Sequence, residues 1–524
     1  MKRKLISFAL AAMMIGSISG CSDNKTASTE VDLSGPAEEN TMPISDEPIT
    51  IKYWTPLYGN IKSYNDNEMF KKMEEVTGIH IEFVSPPKGQ ENEQYGVMLA
   101  SDDLPDIIDR QIGDLYPGGI ERGVEEGFFL DLSGYIDKYA PNIKKLMDED
   151  EYYRNVMTFE NGKIGAVREI MTEPELPWQG PIIRQDLLDK IGADVPRTPD
   201  ELYEVLKKFK NELNIKYPMV LDTSANHIPS AGFASGWNVG TDMYWGEDEK
   251  YHYGPYDEEY TDMLLDLQKW YKEGLIDPEF ATRDEKDIEA AITNGEVGFF
   301  CNQAAKIPYY TATAQSINPD IEFTTIPYLV PERGDTTSFV LNNSRVKGSA
   351  AAICATTKYP VECMKLLDFM YSEQGSEMCN FGIEGLTYEK DENGNCYYTD
   401  FYTNNPDGID KTDMTYLYAR NDGAYLKKTF RGQTDEEKAT NVQNTWLIDV
   451  VRPDPAPDCK FTDEQDMTTY WQDINTYVPQ YVTKTIMGMD DADSRETFVS
   501  RMQNYGMETI IEYFNTAAQA ALNR

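Results

Sequence analysis

The sequence predicts an α/β protein. Two observations lead there: short apolar runs alternate with a period of two, and the segments between them carry apolar residues at helical spacing, so the two repeats take turns along the chain. The fold is expected to begin near Ile49. Residues 50–54 alternate as a strand, 65–76 follow as an amphipathic helix stopped by Gly78, and 80–84 return as a strand, which makes a βαβ unit. A helix around 94–100 then leads to the apolar run 106–108. Parallel sheets present ligand sites beyond the carboxyl ends of their strands, so Trp54, Asp109, Arg110 and Gln111 are expected to look into a crevice. A turn over 128–132 and a helix over 132–139 come next, and a second α/β region opens near Lys163. There Thr198, Pro199 and Glu201 start a helix running through Leu213, the threonine capping it and the glutamate completing a capping box. Tyr260, Met263, Leu264, Leu267, Trp270 and Tyr271 recur at helical spacing up to Gly274, which puts Trp270 on a core face. Residues 323–328 and 350–355 read as strands, 360–371 as a helix, and the chain from Trp471 onward as mainly helical.

At 524 residues the chain is long enough for two to four lobes, each with its own core. Lysine and arginine total 48 against 90 acidic residues, a formal charge of −42 that repels a phosphate backbone, so nucleic acid is excluded as a natural partner. Lys2, Arg3 and Lys4 precede the apolar stretch 5–15, which is too short to span a bilayer and fits a secretory signal over 1–20. The signal ends in Ile18, Ser19, Gly20 and Cys21, resembling the lipobox in which the cysteine thiol takes a diacylglyceryl group. Cys21 is therefore the expected lipid attachment point, holding an exported chain on the outer face of the bacterial cell membrane by its acyl groups. Residues 21–48, rich in Ser, Thr, Glu, Asn and Pro, read as a disordered tether. The six further cysteines show no CxxC spacing, and buried free thiols are preferred over disulfides.

Motifs for phosphate loops, nucleophile elbows and helical zinc sites are missing from the sequence, and no cofactor is expected. With 90 acids, a carboxylate pair for glycoside hydrolysis stays open, because separation in space decides it. Glu389, Asp391, Asn393, Gly394 and Asp400 approximate a calcium loop, with Asp391, Asn393 and Asp400 as its candidate ligands; an Asn-Gly hairpin turn explains the same residues and is preferred. Aromatic residues beside polar, loop-forming ones stand out: Trp178 next to Gln179, Trp237 in SGWN, Trp245 in DMYWGED, and Glu384 with Tyr388 in FGIEGLTY. Sugar rings offer apolar CH faces and a rim of hydroxyls, which such pairs suit, although a loop aromatic serves equally as an edge-packing group.

Taken together, YWTP at Tyr53, FKKMEEVTGIHIEF at Phe70, MLASDDLPDII at Met98, WQGPIIRQDLLDKIG at Trp178, KWYKEGLIDPEFAT at Lys269, NGEVGFF at Asn294 and LLDFMYSEQGSEMCNFGIEG at Leu366 resemble the family 1 extracellular solute-binding lipoproteins of carbohydrate ABC transporters. The resemblance implies a two-lobed periplasmic-binding-protein-like fold of type II with hinge crossovers and a helical C-terminal region. One lobe would hold 49–168 and 329–380, the other 169–328 and 381–524, with crossings near 323–328 and 381–385. By similarity the interlobe cleft would be lined by Trp54, Asp109, Arg110, Gln111, Trp178, Arg184, Asp186, Trp245, Glu384 and Tyr388. Arg184 and Asp186 could equally pair to brace a helix start. The implied partners are an oligosaccharide, the permease subunits of an importer and the membrane through the lipid anchor, with the protein a monomer and not an enzyme. A surface glycoside hydrolase or lyase, and a peptide-binding transporter component, are the alternatives.

Overall fold

The computed structural model describes residues 31–522 apart from 59–60, 102, 160, 174–175, 222–230, 341–344, 410, 430, 452–463 and 491. Cys21 and its flanking signal lie outside the described residues. In chain order the strands are β1 (Ile49–Trp54), β2 (Ile79–Val84), β3 (Ile107–Gln111), β4 (Val167–Met171), β5 (Gln179–Arg184), β6 (Tyr217–Met219), β7 (Met243–Trp245), β8 (Tyr251–Tyr253), β9 (Val297–Gln303), β10 (Phe323–Thr325), β11 (Val346–Ile353), β12 (Tyr388–Lys390), β13 (Cys396–Tyr398) and β14 (Leu426–Lys427).

The expected βαβ opening forms as the pattern dictates. In β2 Ile79, Ile81 and Phe83 point inward while His80, Glu82 and Val84 face out. The helix Glu68–Thr77 starts where the Asn67 side chain accepts from the Phe70 amide, and it stops at Gly78, whose φ of 70° suits only glycine there because a Cβ would also come within 2.6 Å of the Ser45 carbonyl. β1 runs parallel to β2 and to β3, and the first sheet has the order β14-β4-β11-β3-β1-β2 with β11 antiparallel to both neighbours. One face packs Ile51, Tyr53, Ile107 and Ile353 into the main core of this lobe; the other packs Trp54, Ile108, Ala350 and Ala352 against Tyr95, Val124 and Phe129. A second sheet, β10-β5-β9-β6, nucleates the other lobe. Its core takes Phe209 from the helix Pro199–Asn211, capped by Thr198 as expected, and Trp270 from the helix Glu258–Lys272. The C-terminal helices Glu464–Met487, Arg495–Asn504 and Met507–Leu522 pack on the same core through Ile474, Val478, Phe498 and Ile510.

The chain passes between the sheets three times, over 172–178, 326–345 and 428–442. This revises the expected boundaries. Segment 329–340 stays with the second lobe, where Val330 N donates to the Arg197 carbonyl and Thr337 bridges Val450. Segment 381–427 stays with the first, because β14 adds to β4 and Asn67 Nδ2 donates to the carbonyls of Tyr416 and Ala419; the expected return crossing at 381–385 is a turn within that lobe. Residues 31–48, expected as a free tether, lie on the first lobe: Val31, Met42 and Ile44 pack on its core, and Asn40 Nδ2 donates to Asp368 Oδ2 and the Lys365 carbonyl. Polar composition hid this strap because its few apolar residues are spaced for docking onto a preformed surface.

Candidate functional site

The three crossings gather into one bundle. At the first sheet Met171 N donates to the Arg345 carbonyl at 2.7 Å and Ile170 N to the Tyr425 carbonyl at 3.0 Å, so all three leave from adjacent positions. At the second sheet Gln443 Nε2 donates to the Pro177 carbonyl at 2.8 Å and Thr325 Oγ1 to the Val442 carbonyl at 2.9 Å. Since an extended chain advances at most about 3.6 Å per residue, segment 172–178 keeps the carboxyl edge of the first sheet within about 30 Å of the Gln179 edge of the second. That seam is the candidate site, at the strand ends where open α/β sheets place ligands.

On the first-lobe rim, β1 ends in Trp54 and β3 in Asp109, Arg110 and Gln111. Trp54 is only 3 % exposed, its ring 4.9 Å from that of Tyr95, so it forms wall and not a stacking platform. Arg110 lies 4.2 Å above the Tyr95 ring, with Nη2 donating to Asn92 Oδ1 at 3.0 Å. Asp109, 1 % exposed, turns to the opposite face, where its Oδ2 accepts from Tyr53 Oη at 2.5 Å, from the Ala424 amide at 3.1 Å and from the Arg420 guanidinium. Its carboxylate thus ties loop 420–424 to the sheet, which removes it from the expected ligand set. Gln111 is exposed at the strand end and lays its amide across Gly348 of β11, where a Cβ would meet Oε1 at 2.2 Å. Beside it, Glu169 of β4 pairs with Lys427 of β14 at 3.0 Å. Burial raises the Glu169 carboxyl above the ordinary glutamate value, and the lysine offsets this only in part.

On the second-lobe rim, Trp178 is 46 % exposed immediately before β5, its carbonyl accepting from Ala304 N at 3.1 Å. Gln179 pairs across the sheet with Gln303, so two amide side chains stand at the rim beside the indole, while Asn302, opposite Gly180, donates from Nδ2 to Tyr310 Oη at 3.1 Å. The polar ending of the run VGFFCNQ was the one sequence signal for Asn302 and Gln303.

Other expected residues lie elsewhere. Arg184 and Asp186 sit at the far end of β5, about 17 Å from its rim at 3.3 Å per residue. They form a bidentate pair of 2.5 and 2.8 Å, and Lys190 reaches Asp186 at 3.0 Å. Burial alone would raise the Asp186 carboxyl, but these donors outweigh it and hold it below its ordinary value, as befits a brace for the helix Gln185–Ile191. In the hairpin β7–β8, Tyr244 meets Phe339 of the crossing, and strand alternation sends Trp245 to the other face, where it packs on Tyr251. Tyr251 in turn packs on Phe514 of the last helix. Glu384 and the buried Tyr388 line a separate groove of about 600 Å3 between the strap at Asn40 and Met42 and the helix Glu373–Phe381. Asp391 closes the turn of the hairpin β12–β13, Oδ1 accepting from the amides of Asn393 and Asn395 at 2.8 Å, and Asp400 opens the next short helix. The hairpin geometry accounts for Asp391 and Asn393, and Asp400 belongs to the helix that follows. Cys301, Cys354, Cys363 and Cys379 are buried free thiols and Cys396 a half-buried one.

Two hinged α/β lobes with a seam at their strand ends define a solute-binding protein. The sequence profile of the bacterial extracellular solute-binding proteins matches residues 60–377, and the chain belongs to that family. It is 28 % identical over 405 residues to lipoprotein LipO of Bacillus subtilis, covering 74 % of each chain. It is 24 % identical over 424 residues to the fructooligosaccharide ABC transporter substrate-binding protein FusA of Streptococcus pneumoniae, covering 76 % of this chain and 73 % of FusA. Among solved structures, the alginate-binding protein AlgQ2 superposes with a TM-score of 0.73 at 21 % identity, over 91 % of this chain and 99 % of that one. FusA in complex with kestose gives 0.72 at 19 %, over 91 % and 100 %. Among the described residues no helix is long and apolar enough to cross a membrane.

Proposed function

We propose that the chain captures an oligosaccharide in the seam between its lobes and delivers it, chemically unaltered, to the permease of an ABC importer. The observation that carries this reading is the second-lobe rim, where a half-exposed indole immediately precedes the Gln179–Gln303 pair. An aromatic plane flanked by neutral amides matches a sugar's apolar face and its hydroxyl rim. The ligands for which FusA and AlgQ2 are named, a fructooligosaccharide and alginate, support the same class. Of the expected contacts, Gln111 and Trp178 remain as rim residues, with Arg110 set behind them. Ligand touching both rims favours the closed arrangement of the hinge, because only there are both sets of contacts made. Attachment through Cys21 would hold the monomeric protein at the outer membrane face beside its permease.

A thermal-shift screen of the mature chain against oligosaccharides and peptides tests the reading. Stabilisation by a glycan, which rises with ligand concentration, is the expected result; stabilisation by peptides alone would replace it with peptide transport, and new reducing ends after incubation would replace it with glycan cleavage.

A further inference from the structure

A cavity of about 840 Å3 opens on the second lobe, apart from the Trp178 rim, beside the Trp237 of SGWN. Its walls are the first turn of the helix Pro199–Asn211, the turn bearing Trp237, the face of the helix Glu258–Lys272 that carries Glu259 and Asp266, and the crossing segment at Asp335 and Thr336. Trp237 is held as a fixed plane. Its Nε1 donates to Asp266 Oδ2 at 2.8 Å, and its ring packs 5.2 Å from Phe233 and 6.0 Å from Trp270. The crossing wall is fastened to the same turn: Ser235 Oγ donates to the Leu329 carbonyl at 2.7 Å, and a Cβ on Gly236 would come within 2.9 Å of Leu329. A ligand here therefore touches both the helices of the lobe and the anchored segment that leads into the second crossing.

We propose that this cavity is a second-lobe subsite for an uncharged sugar unit, with Trp237 as its stacking plane. The proposal rests on the reading of the chain as an oligosaccharide binder and adds the charge class of the ligand. The lining includes four carboxylates, Asp200, Glu259, Asp266 and Asp335, and among the described residues no lysine or arginine. Carboxylates accept from sugar hydroxyls, and their combined negative charge repels a uronate. The seam residues alone do not separate neutral from acidic glycans; this cavity does, in favour of neutral ones.

Calorimetric titration of the mature chain with kestose, maltotriose and cellotriose, against trigalacturonate and trimannuronate, tests it. A neutral trisaccharide is expected to bind, with Trp237→Ala weakening it by about tenfold or more, as loss of a buried anchor does. Should Trp237→Ala not fold, Trp237→Phe carries the test, since it keeps the core contacts and loses the indole donor and part of the plane; a severalfold loss is expected. Unchanged affinity for the neutral sugar in the folded variant overturns the subsite, and tighter binding of the acidic trisaccharides overturns the charge class; either leaves the oligosaccharide reading standing. Binding of neither set overturns that reading and the subsite together.

Discussion

Arg420 carries its charge into an interior where Asp109 Oδ2 and Tyr53 Oη meet it, and all three side chains are buried. Removing one member of a buried pair strands the other, so Arg420→Ala is expected to lower the free energy of unfolding by about 3–5 kcal/mol in urea titrations, a larger loss than exposed ion pairs such as Lys71–Glu68 would give. Glu169 makes a pH-dependent contribution of definite sign. Its carboxyl is raised in the folded state, so the folded chain holds that proton more tightly than the unfolded one, and the associated stability is lost as pH rises above 4.5, the ordinary glutamate value. The unfolding free energy of the wild type should therefore fall relative to Glu169→Gln as pH rises through that range; a gap that widens in the opposite direction contradicts the assignment. Trp178 and Trp245 should separate cleanly. Trp178→Ala is expected to weaken oligosaccharide binding by about 1–3 kcal/mol in calorimetry while sparing stability, whereas Trp245→Ala should lower stability through its hairpin and spare affinity. Sequence alone could nominate both residues, since each is an aromatic beside polar neighbours, but exposure separates them, and exposure depends on partners such as Tyr251 and Phe514 that lie far along the chain.

Elements legible in the sequence are those whose apolar pattern is long: β2, the helix Pro199–Asn211 and the helix Glu258–Lys272 all fall where periodicity put them. Those that escaped it are short or capped from a distance. β14 is two residues long, too few to show a period, yet it fixes segment 381–427 to the first sheet. The helix Pro141–Glu149 has no cap of its own; Asp368, on the helix Pro360–Phe369, accepts from the amides of Asn142 and Ile143 at 2.9 Å each and from Asn142 Nδ2 at 2.7 Å. A side chain more than two hundred residues away thus performs a capping role that local sequence rules cannot see. Asp368→Ala orphans these donors, each worth about 1–3 kcal/mol when buried and unsatisfied, and is expected to cost about 2–4 kcal/mol in unfolding experiments and to speed amide exchange selectively over 141–149.

At the level of the molecule, three crossings rooted side by side at both sheets leave two separately cored lobes joined by one narrow bundle. Such a connection resists separation of the lobes far more than their rotation, which is the motion a clasping mechanism needs. A solute that is held and released also needs no bond made or broken, so its mass must be conserved through the cycle. Native mass spectrometry of the mature chain incubated with oligosaccharides tests this most directly. A one-to-one complex that releases the intact glycan on dissociation is expected; recovery of shortened glycans, or no glycan adduct at all, would contradict capture without cleavage.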